Sequence, residues 1–211
     1  MRIRIFAPTF LAAVVLVTTT STVFPQSKNS NAVGDVVFEF IGQASAPTAT
    51  LAQTQYGYLT YLNDVSESEP IFNPGPQNET TALLTFYADT TVLRVTNNGS
   101  LRIIDRLGTM TIYLDNTPDG DFANPESFRD GLPVQTSELR LQFILDTLTG
   151  AFTVSSVHTI TSSDFFHLGF GNFLLGKRGQ KFRRTMSGHA TAPGTSPGAH
   201  IAGFATGDLK R

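Results

Sequence analysis

From Leu139 to Ile160 the chain reads LRLQFILDTLTGAFTVSSVHTI, and this stretch constrains the fold more than any other. Leu139, Leu141, Phe143 and Leu145 alternate with Arg140 and Gln142. In an extended strand, successive side chains point to opposite faces, so the alternation gives one apolar face and one polar face. Asp146 to Gly150 supplies turn residues, and Ala151 to Ile160 returns as a run rich in Val, Thr and Ile. The pattern predicts an antiparallel hairpin. Its rival is a helix over Ser137 to Leu148 ended by Thr149-Gly150. The β-branched run directly after the turn favours the hairpin.

The same period of two recurs along the chain. It predicts strands over Asp35 to Ile41, around Tyr56 and Tyr58, and over Thr81 to Tyr87 and Thr90 to Thr96. Asn97, Asn98 and Gly99 mark a hairpin turn, because Asn and Gly tolerate positive φ. Leu101 to Ile104 returns from it. Gly108 is then read as a break before a short strand over Thr109 to Leu114. Lys181 to Met186 and Ile201 to Ala205 add two more candidates. Ser66 to Asn78, with Pro70, Pro74 and Pro76, and Asp115 to Pro133 read as long loops. Almost no stretch of the mature region repeats apolar residues at helical spacing. The expected fold is all-β: a single antiparallel β-barrel of roughly 8–10 strands, with a β-sandwich as the runner-up.

The N-terminus reads differently. Arg2 and Arg4 precede the apolar run Phe10–Val17, and a polar segment follows. That is the three-part pattern of an export signal. The apolar run is too short to cross a bilayer as a helix, which needs about 20 residues. Residues 1–26 are therefore expected to be a signal peptide. Residues 27–211 are expected to form one domain with a flexible 190–200 loop. The expected destination is secreted or periplasmic, and the chain is not expected to span a membrane. The chain has no cysteine, so this domain is expected to hold together by packing and sheet hydrogen bonds rather than by disulfides. The whole chain carries a net charge of −2, and without Arg2 and Arg4 it is more acidic still, which argues against nucleic acid as the main partner, since that would call for a broad basic face.

Three segments are candidates for chemistry. Asp115 to Glu126 reads DNTPDGDFANPE. Laid over a twelve-residue calcium loop, Asp115, Asp119, Asp121 and Glu126 fall at ligand positions, and Gly120 falls at the turn. Thr117 and Pro118 depart from that pattern, and the flanks are not helical. The segment is thus a candidate calcium loop without being an EF-hand, and a solvated acidic turn is the alternative. Phe165, Phe166, Phe170 and Phe173, spaced by Gly169 and Gly171, are the candidate ligand-contacting wall. The alternative is a core strand whose glycines relieve crowding. The basic residues Lys177, Arg178, Lys181, Arg183 and Arg184 form the one charge block, read as a solvated hairpin. His158, His167, His189 and His200 lack the spacing of zinc ligands.

In outline such a chain is similar to small secreted barrels of the lipocalin and dirigent-like kind. The lipocalin Gly-x-Trp signature is missing, since the chain has no Trp, and no functional residue is carried over. The expected function is non-catalytic binding of a small apolar or amphipathic ligand inside the barrel or near its mouth. A barrel isomerase or cyclase, and a structural or adhesive module, are the alternatives.

Overall fold

The computed structural model describes residues 35–48, 51–66, 70–192 and 196–207; the expected signal peptide lies outside them. Ten strands follow one another: β1 (Val36–Ala44), β2 (Gln53–Leu62), β3 (Leu84–Asn98), β4 (Leu101–Leu114), β5 (Leu132–Asp146), β6 (Ala151–Ser163), β7 (Phe166–Leu168), β8 (Gly171–Phe173), β9 (Lys181–Ala190) and β10 (Ala199–Gly207). Eight of them form a closed antiparallel barrel in the order β1-β2-β3-β4-β5-β6-β9-β10, and β10 pairs with β1 to close it. β7 and β8 pair only with each other. Closure decides between the barrel and the sandwich, and it leaves most strands with a neighbour on both sides.

The predicted hairpin is β5–β6, and the helical rival is overturned. Asp146 accepts the Leu148 N–H and the Thr149 hydroxyl, and Gly150 takes a φ of 76°, which fixes a strand-to-strand turn. The other hairpin signal ends β3, where Gly99 stands at a φ of 59° as the first of two turn residues. Two pairs of predicted strands are in fact continuous. Thr90–Thr96 runs on from the earlier strand within β3, because Ala88 and Asp89 supply no turn. Gly108 does not break β4. A side chain there would stand 1.9 Å from the Asp89 carbonyl oxygen, so the glycine marks a close approach of β3 rather than an end. β9 and β10 likewise extend into the expected 190–200 loop from both sides, to Ala190 and from Ala199.

Inward rows follow the alternation. Phe38, Phe40, Phe86, Met110, Ile112, Leu141 and Phe182 are fully buried. Phe40 meets Phe86 edge-on with ring centroids 5.4 Å apart, and Phe38 meets Phe182 at 5.9 Å. Such pairs each add about 1 kcal/mol beyond their buried area. The barrel has two unlike ends. The connections β2–β3, β4–β5 and β6–β9 are long and lie at one end. There the β7–β8 hairpin buries Phe166, Leu168 and Phe173, while the Val134 carbonyl accepts the Asp164 N–H and the Leu175 carbonyl accepts from Gln135. Parts of the first two connections fold back over the outer face of β2 and β3. Phe72, Phe122 and Phe128 pack there on Tyr56 and Tyr58. The opposite end carries the two tight turns, the β1–β2 loop and the β9–β10 loop.

Candidate functional site

At that second end the interior is not filled. A cavity of about 520 Å³ opens between the ends of the barrel strands. The alternation that packs the core elsewhere here points Ile104, Phe143, Leu145, Phe152, Val154 and Met186 into open space. Val92 and Val95 on β3 and Leu51 on the β1–β2 loop complete an apolar wall. The size lies in the usual range for small-molecule sites, about 300–1,000 Å³. Few polar side chains reach the lining. They are Gln53 and Gln55 on β2, Arg102 and Arg106 on β4, and Thr191.

These polar groups are graded in depth. Arg102 is exposed at the rim and Ile104 is half-buried, while Arg106 is 3% exposed. Burial lowers the pKa of Arg106 from its ordinary value. Its Nη1 donates to the Leu51 carbonyl at 3.0 Å, which ties the β1–β2 loop to the floor. Gln55 is also buried and lies at the floor. Behind it stands Arg184 of β9, 1% exposed, whose Nη2 donates to Gln55 Oε1 at 2.6 Å and whose Nη1 lies 3.0 Å from Met110 Sδ. The guanidinium also faces the rings of Phe40 and Phe86, at 5.0 and 5.6 Å. Its Nε has no partner. Burial pulls its pKa down to about 10, so it is charged at neutral pH.

One layer deeper is a second polar group. His158, fully buried on β6, lies 3.0 Å from Ser137 Oγ through Nδ1 and 2.9 Å from Ser156 Oγ through Nε2, and it stacks on Phe182. Ser156 donates to the Arg184 carbonyl at 3.2 Å. Ser137 Oγ also reaches a backbone acceptor, the Met110 carbonyl, at 3.4 Å; the shorter Ser156 bond favours Nε2–H as the donor to Ser156 and Nδ1 as the acceptor from Ser137. Burial first, and then the Arg184 charge, hold the His158 pKa well below 6.5. The imidazole is therefore neutral. None of the three side chains lines the cavity.

No protein-family model, curated protein or solved structure matches this chain. The site is therefore read from its own geometry.

The four candidate phenylalanines stand away from the cavity. Phe166 and Phe173 are buried at the closed end with ring centroids 5.8 Å apart, while Phe165 and Phe170 face solvent, Phe170 at 98% exposure. Gly169, at a φ of 54°, lets the chain reverse there, so the segment is a small hairpin and not a wall strand. Within the acidic loop, Asp115 and Asp119 come together with Asp130, with a carboxylate oxygen from each lying within 4.8 Å of the others. Asp115 is buried. Its Oδ1 accepts the Thr117 N–H at 2.9 Å, and its Oδ2 has no partner. Burial first, and then Asp119 and Asp115, raise the Asp130 pKa. Asp121 and Glu126 are engaged elsewhere: Asp121 accepts the Ala123 N–H, and Glu126 pairs with Arg129 and accepts from Tyr87 at 3.4 Å. The trio could hold a metal ion.

The sequence reading missed Arg106, Arg184 and Gln55. The signal was present in the alternation. Arg184 falls in the row of Phe182 and Met186, and Arg106 in the row of Ile104, Met110 and Ile112. A charge in an apolar row is the informative exception to the pattern.

Proposed function

We propose that this protein is an exported β-barrel that binds a small amphipathic molecule, without catalysis, in the open end of its interior. The observation that carries the reading is the apolar cavity of about 520 Å³, whose few polar groups are gathered at its floor and rim. A barrel that needed only to be stable would fill this space, because a void forfeits packing contacts. The neutral dye N-phenyl-naphthylamine should give saturable fluorescence with the protein. Ala199→Phe, which puts a ring into the lining, should abolish that signal while the far-UV circular dichroism stays that of a sheet. Undiminished dye binding by the folded variant would refute the cavity as the site. Export is supported by Arg2, Arg4 and the Phe10–Val17 run. The intact mass of protein recovered from the exporting compartment should lack about 20 to 30 residues; recovery with Met1 in place would sink that part.

A second reading, favoured by the unpartnered Asp115 Oδ2, is that Asp115, Asp119 and Asp130 hold Ca²⁺. Calcium accepts several hard oxygens in irregular geometry, and two of these carboxylates are exposed, which leaves room for water ligands. Binding to the folded state alone raises the melting temperature by mass action. Melts in excess calcium and in chelator should therefore differ, and superimposable curves would return the loop to a solvated acidic turn.

A further inference from the structure

The geometry points to an occupant of this cavity with an anionic carboxylate headgroup, which lies at the floor against Arg106 and the Gln55 amide while its hydrocarbon body runs along the walls to the mouth. The inference rests on the cavity being a binding site. Its starting point is an imbalance of charge. Arg106 and Arg184 are both buried, and a buried guanidinium is expensive unless an anion faces it. Among the described residues neither meets a carboxylate. Arg106 has the Leu51 carbonyl, and Arg184 has the Gln55 carbonyl, the Met110 sulfur and two ring faces. The lining holds two arginines and no Asp or Glu. Apolar residues would satisfy the same inward rows at lower cost. The missing anion is the one component that the occupant can bring.

The donors are already turned toward it. Arginine carries only donors, so Arg184 fixes Gln55 with Oε1 toward itself and leaves Nε2 as a donor at the cavity floor. Only Nη1 of Arg106 has a protein partner, and the remaining N–H groups of its planar fork suit the two oxygens of a carboxylate. Arg184 acts through Gln55 and adds positive potential in a low-dielectric setting. Above this floor the walls are Ile104, Phe143, Leu145 and Phe152, which fit a hydrocarbon chain and not a second charge.

Calorimetric titration of the protein with dodecanoate, dodecanol and dodecyl phosphate tests this, in the native sequence and in Arg106→Gln and Arg102→Gln. Dodecanoate should bind about ten-fold or more tightly than dodecanol, the worth of one charge-assisted hydrogen bond. Arg106→Gln should bring the acid down to the level of the alcohol and leave alcohol binding within about two-fold. Arg102→Gln, at the solvent rim, should keep the preference. Equal affinities for acid and alcohol in the native sequence would overturn the headgroup assignment and leave the cavity reading standing. A preference that follows Arg102 would place the charge at the mouth and overturn it too, as would tighter binding of the phosphate. Binding of none of the three would remove the cavity reading itself. The native-sequence comparison stands even if Arg106→Gln does not fold.

Discussion

His158 shows what a single buried polar residue does to this barrel. Its ring is neutral in the folded state because burial, and then the Arg184 charge, disfavour the proton. An unfolded chain has no such restraint and takes up the proton near pH 6.5. The unfolded state thus binds more protons below that pH, and stability falls as pH drops. Unfolding free energy from urea titrations should decline by up to about 1.4 kcal/mol per pH unit from this residue as the pH falls below about 6.5. His158→Gln keeps a donor and an acceptor for Ser137 and Ser156 and should flatten that decline. An unchanged slope in the variant would assign the acid sensitivity to other groups. The inward placement of His158 was legible, since it falls in the same period-two row as Phe152, Val154 and Ile160. Its neutrality was not, because that depends on what β9 brings across to it. The same holds for Arg184. It was grouped with Lys181 and Arg183 as one charge block, yet β9 exposes those two and turns Arg184 inside.

At the scale of elements, strand identity was legible where polar and apolar residues alternate cleanly, and strand length was not. Gly108 reads as a breaker in one dimension, but it is a point of close approach once β3 lies beside it. Gly42 and Gly57 repeat the lesson. They are direct partners across β1 and β2, and a side chain on either would fall about 2.2 Å or less from a neighbouring carbonyl oxygen. The acidic loop was recognisable as a chelating candidate from its composition, but its partners were not. Sequence spacing nominates Asp121 and Glu126, whereas the fold returns Asp130 to Asp115 from just before β5. The two sets predict different mutants. Asp130→Asn should remove most of any calcium-dependent rise in melting temperature. Glu126→Gln should leave that rise intact, because Glu126 is committed to Arg129 and Tyr87. The reverse result would restore the spacing-based set.

For the whole molecule, the order of strands around the barrel is nearly their order in the chain. The exceptions are the step from β6 to β9 and the seam between β1 and β10. That seam runs from Val36↔Thr206 to Ala44↔Ala199, so the barrel is not closed until residues 199–207 are in place. Ending the chain before Ala199 removes β10 and exposes one edge each of β1 and β9. Open edges pair with other chains. Size-exclusion chromatography and light scattering should find the truncated protein in soluble aggregates or in the pellet. A truncated monomer with the native sheet spectrum would show that closure is dispensable. All-β architecture and the barrel were legible from the number of alternating segments and their hairpin signals. The cavity was not, because the apolar residues that make its walls look like core in the sequence. Only the closed geometry shows that the space between those residues is open.

The two unlike ends have a consequence for how such a protein can change over generations. The long connections, with their aromatic overlay and acidic trio, belong to one end; the cavity, its rim and its charged floor belong to the other. Between them lie the packed layers of Phe38, Phe40, Phe86 and Phe182. Substitutions at the exposed positions of the 70–83 and 115–131 segments can accumulate without reshaping the cavity. Exchanges at Val92, Phe143 or Met186 can reshape the cavity without disturbing the closed end. Selection can therefore act on the closed end and on the cavity as separate parts of one small scaffold.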